Sequence, residues 1–68
     1  MTKNEMIKKV QKGEPIMVEM YLRNTYYSLG GKRITERQYK ILKEHFKGLL
    51  CYNHDYSPAT IRTTYTLK

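Results

Sequence analysis

Cys51 is the only cysteine, so the chain has no internal disulfide to brace it. Tryptophan is absent and phenylalanine occurs once, which leaves seven tyrosines as nearly all the aromatic content. Tyrosine has an apolar body and a polar tip, and so suits a thin core with a wet edge. No apolar run is long enough to span a bilayer and no secretory signal pattern is present, so a cytoplasmic location (the host's, for a phage gene) and no membrane partner are expected. There is no nucleotide-binding glycine loop, and no pair of carboxylates shares a helix face at clear spacing. These absences argue against an enzyme, and no cofactor is expected. With 68 residues the chain makes one domain with one small core. A second copy would add stability, so a homodimer is an open expectation.

Acids are also scarce. Six Asp/Glu face thirteen Lys/Arg, for a net charge of +7. Residues 32–50 hold +4 of this, residues 1–15 hold +2, residues 16–31 sum to zero and residues 51–68 to +1. Such an excess favours anionic partners: nucleic acid or an acidic protein surface.

The clearest element is the amphipathic helix expected over residues 35–47. At about 100° per residue, Arg33, Glu36, Arg37, Lys40, Lys43, Glu44 and Lys47 fall on one side. Gln38, Tyr39, Ile41, Leu42, His45, Phe46 and Leu49 fall on the other. Thr35 and Gln38 have capping-box spacing, and Gly48 is a stop signal.

An N-terminal helix is expected over residues 2–12, with Thr2 and Glu5 at its start, Gly13 at its end and Met6, Ile7 and Val10 as its apolar stripe. Residues 15–28 are ambiguous. Pro15 suits a first helical turn and Gly30-Gly31 a stop, which tips the reading slightly towards a helix. The alternation of Ile16, Val18, Met20 and Leu22, with the aromatic and β-branched content, fits two strands instead. Gly30-Gly31-Lys32-Arg33 is read as a turn, with weak potential to hold a phosphate. Thr60–Lys68 alternates as a half-buried strand, with Ile61, Thr63, Tyr65 and Leu67 on one face. Leu49–Asn53 is its expected partner, giving a C-terminal β-hairpin over residues 49–67 with a six-residue loop, His54–Ala59. The fold class is α+β.

The run LKEHFKGLL, the loop with Asp55, and IRTTYTLK together resemble a winged helix-turn-helix module. The resemblance covers the second half of the chain, and its hairpin loop is less basic than is usual. It implies that residues 35–47 form a recognition helix in the major groove of duplex DNA. Glu36, Arg37 and Lys40 would then lie nearest the bases, and Lys32, Arg33, Lys43 and Lys47 on phosphates. Arg62 would touch the backbone from the wing. A regulatory or accessory DNA-binding role is the leading expectation. The rival is a phage- or plasmid-type inhibitor that docks its basic face on an acidic surface of a host enzyme.

Two weaker signals remain. Cys51-x-x-His54, with Asp55 and His45, is half of a metal-site pattern without its second half, so no metal is expected. Tyr52, Tyr56 and Tyr65 could stack on single-stranded bases, though packing is the commoner use of such rings.

Overall fold

The computed structural model describes residues 1–68. The elements run α1 (Lys3–Gln11), β1 (Ile16–Tyr21), β2 (Asn24–Leu29), β3 (Lys32–Ile34), α2 (Glu36–His45), β4 (Leu50–Ser57) and β5 (Thr60–Leu67). The strands form one antiparallel sheet in the order β3-β2-β1-β5-β4, and both helices lie on one face of it.

Residues 15–28 correct the helical preference stated above. They form an antiparallel hairpin, in which Ile16 pairs with Leu29 and Tyr21 with Asn24. The glycine pair decides it. Gly30 and Gly31 have φ of 56° and 86°, and they join Leu29 to Lys32 as a two-residue turn. A hairpin turn with both central residues at positive φ suits the twist of the flanking strands and favours glycine. What reads as a helix stop is therefore a strand reversal. The Ile, Val, Thr and Tyr content then packs as pleated, half-buried surface. The element preceding α2 is thus a β-hairpin, and the winged-helix resemblance is left resting on α2 and the β4–β5 hairpin.

The expected C-terminal hairpin is present but longer and tighter. His54–Ser57 belong to β4, and only Pro58 and Ala59 form the turn between Ser57 and Thr60. The first hairpin turns through Leu22 and Arg23, and Leu22 carries a positive φ of 55°. The two tips touch: the Leu22 N–H donates to the Ala59 carbonyl at 3.4 Å.

Both helix starts are capped by the expected threonines, but of the two expected capping boxes only that of α2 is complete. The Thr35 hydroxyl accepts from the Gln38 N–H at 3.1 Å, and the Gln38 side chain accepts from the Thr35 N–H at 2.9 Å. At α1, Thr2 accepts from the Glu5 N–H at 3.2 Å. The core is Met6 and Val10 from α1, Ile16, Leu29 and Ile34 from the sheet, and Leu42 and Phe46 from or just beyond α2. It sits under the helices at one end of the sheet. The other end projects past them, leaving Met20, Tyr56 and Ile61 exposed on the helix side; Tyr52, level with Ile16, is exposed because β4 is an edge strand. No helix is long and apolar enough to cross a membrane.

Candidate nucleic-acid interface

The fold sorts the charge by layer. Residues 3–12 and 36–47, the two helices with their last turns, hold eight Lys/Arg and three Glu, a net of +5. The β1–β2 hairpin balances Glu19 with Arg23 in its turn, and the β4–β5 hairpin balances Asp55 with Arg62, so each hairpin is neutral. Strand β3 contributes Lys32 and Arg33; Glu14 and Lys68 cancel, which completes the +7.

The seven residues expected to contact nucleic acid do not all share this layer. Arg37 and Lys40 do. They line an open groove of about 390 Å³ with Lys3, Ile41, Glu44 and His45, so α1 adds a cation that sequence reasoning left out. Lys40 also pairs with Glu36 at 3.4 Å, one helical turn back. Both side chains are largely solvated, so the pair is weak and leaves Lys40 free to exchange partners. Lys43 is half-buried, with its ammonium 3.7 Å from the centre of the Tyr65 ring. Lys47 is exposed just after α2. Lys32 is exposed on β3 and points to the helix side, because it pairs with buried Leu29.

Arg33 and Arg62 are placed elsewhere. Successive strand residues face opposite ways, so Arg33, next to Lys32, is on the bare side of the sheet. Its guanidinium stacks over Tyr26 at 4.5 Å. Arg62 is on that same bare face, 3.3 Å from Glu19 and directly across from Asp55. Neither can join a surface built on α2. The helix-side surface is Lys3, Lys32, Arg37, Lys40 and Lys47.

The glycine pair is a poor phosphate cradle. A Glu14 carboxylate oxygen lies against Gly30, within 2.5 Å of where a β-carbon would sit. An anion there meets a negative charge. The possible metal ligands are also dispersed. Cys51 and Asp55 point to the bare face and His54 to the helix face, where its Nδ1 lies 2.9 Å from the Thr63 hydroxyl. His45 does not fall on the buried face as the helical arc suggests. It is exposed, and lines the groove with Arg37 and Lys40.

A chain of aromatic rings is the feature sequence reasoning reached only in part. Tyr27 and Tyr39 are 4.6 Å apart between centroids, Tyr39 and Tyr65 6.3 Å, and Tyr65 and Tyr52 6.2 Å. It continues along β4 through His54, 4.9 Å from Tyr52, to Tyr56, 5.9 Å from His54. The i, i+2, i+4 spacing of Tyr52, His54 and Tyr56 was the signal, hidden because this stretch reads as a loop. Burial, then hydrogen bonding and charge repulsion from Tyr65, and finally Tyr27, hold the Tyr39 phenol well above the ordinary tyrosine range. Tyr39 is therefore a neutral packing residue.

No protein-family model, curated protein or solved structure matches the chain.

Proposed function

We propose that the protein is a small, non-enzymatic nucleic-acid-binding factor, regulatory or accessory in role, whose helix layer rests on duplex DNA. The observation that supports this reading is the partition of charge: +5 on residues 3–12 and 36–47, the two helices and their ends, over two long hairpins that are each neutral. A polyanion gains most from a surface on which cations cluster, because each neutralised phosphate releases condensed counterions. Lys3, Lys32, Lys40 and Lys47 serve the phosphates, and Arg37, at the front of α2, is the residue suited to paired hydrogen bonds with guanine. The finer form of this reading places α2 in the major groove.

Titrating a DNA duplex across a salt series tests it. Affinity should fall steeply as salt rises, and Lys47→Ala, which removes a phosphate contact, should flatten the slope of log K against log salt by about 1. Absence of binding at low salt would end the proposal.

A second reading is an inhibitor docked on an acidic host-enzyme surface. It is favoured by the exposed apolar side chains at the hairpin tips, Met20, Leu22, Tyr56 and Ile61, which suit a protein partner better than a phosphate backbone. A stoichiometric protein that co-purifies after nuclease treatment would select it.

A further inference from the structure

We infer that β4 is a pairing edge for a second copy of this chain, joining two five-stranded sheets into one ten-stranded antiparallel sheet. An edge strand presents a row of unpaired N–H and C=O groups, and folded proteins normally blunt it with short length, lysine, proline or a bulge. Strand β4 has none of these. It runs eight residues in unbroken register with β5, contains no Lys, Arg or Pro, and is exposed from Cys51 to Ser57. Its one formal charge, Asp55, faces Arg62 across the hairpin. It is therefore the side on which two copies of a +7 chain can meet without bringing cations together.

The backbone parity fits the same partner. The Lys68 N–H donates to the Leu49 carbonyl at 2.9 Å. In an antiparallel ladder, alternate residues turn both backbone groups to the partner strand. The odd-numbered residues of β4 therefore bond to β5, and Leu50, Tyr52, His54 and Tyr56 direct their groups outwards. A two-fold axis normal to the sheet pairs residues of like parity and keeps side chains on their own face. Two registers give the fullest overlap. One centres on Asn53, with Tyr52 opposite the partner's His54. The other centres on His54, with Tyr52 opposite the partner's Tyr56. Either way the two rows of Tyr52, His54 and Tyr56 merge into one aromatic surface. Both helix layers then lie on one face, with the two α2 helices on the order of 30 Å apart at the usual strand spacing. That is comparable with one turn of duplex DNA, ~34 Å. This last point rests on the nucleic-acid reading, whereas the pairing does not.

Sedimentation of nuclease-treated protein, from low micromolar to millimolar concentration, is the test. The wild type should reach twice 8.2 kDa. His54→Pro removes an outward N–H and leaves the backbone bonds to β5 intact, losing only the His54–Thr63 side-chain bond, so it should stay at the monomer mass with an unchanged circular-dichroism spectrum. If that variant fails to fold, Tyr52→Lys with Tyr56→Lys keeps every backbone donor and decides the matter, with dimerisation weakened at least about tenfold. A wild type that stays monomeric throughout overturns the proposal and leaves the edge to a strand of another protein. So does a dimer that persists in the folded variants. Loss of DNA binding by Arg37→Ala with the dimer intact separates the two readings.

Discussion

The sheet has two edges, and they are built on opposite principles. Strand β3 is three residues long, carries Lys32 and Arg33, and inserts Ile34 into the core. Strand β4 is eight residues long, has no cation, and buries nothing beyond a half-buried Leu50. The short edge is anchored by a side chain and guarded by charge. The long edge is held almost entirely by its ladder to β5. Length alone does not indicate which strand the fold depends on.

The largest test of this contrast is a pair of truncations, followed by urea denaturation. Ile34→Ala should cost about 2–5 kcal/mol, the range for emptying a packed core position. Tyr52→Ala should cost below about 1 kcal/mol, because the residue is 65% exposed. Comparable losses at both sites would remove the asymmetry. A smaller effect is expected at Thr35, which leads directly from β3 into α2. Removing its hydroxyl in Thr35→Ala should lower stability by about 1 kcal/mol, the usual worth of an N-cap.

The smallest effect is expected at Tyr39, the ring that touches both halves of the sheet through Tyr27 and Tyr65. Its phenol is raised in the folded state, first by burial. The unfolded chain therefore loses this proton first, near the ordinary tyrosine pKa of about 10. The stability this group contributes is complete below that pH and declines as pH rises above it. Thermal melts should show that decline in the wild type, and Tyr39→Phe should make it shallower.

The helices were legible because their signals are local. Capping spacing at Thr35 and Gln38, and the stripe of Met6, Ile7 and Val10, need no knowledge of the rest of the chain. The alternation of β5 was equally plain. Residues 16–29 were not, since Ile16, Met20 and Tyr27 fit both a helical and a pleated period, and it is the pairing of Leu29 with Lys32 across the two glycines that separates them. Strand β4 was cut short because Asp55, Ser57 and Pro58 are turn-forming types, and just one of them lies in the turn. The candidate interface was legible where it is helical, at Arg37 and Lys40. Sequence neighbours misled on strands, where Lys32 and Arg33 part to opposite faces. Lys3 was missed because its approach to α2 is tertiary.

The lone thiol of Cys51, exposed on the face away from both helices, serves as a built-in ruler. A single spin label there puts a probe on each copy of a paired molecule. By strand geometry the two probes' backbones lie about 14 Å apart if the axis passes Asn53, and about 21 Å apart if it passes His54. One unmutated side chain can therefore report how the two copies mesh, and a missing dipolar signal would report that they do not.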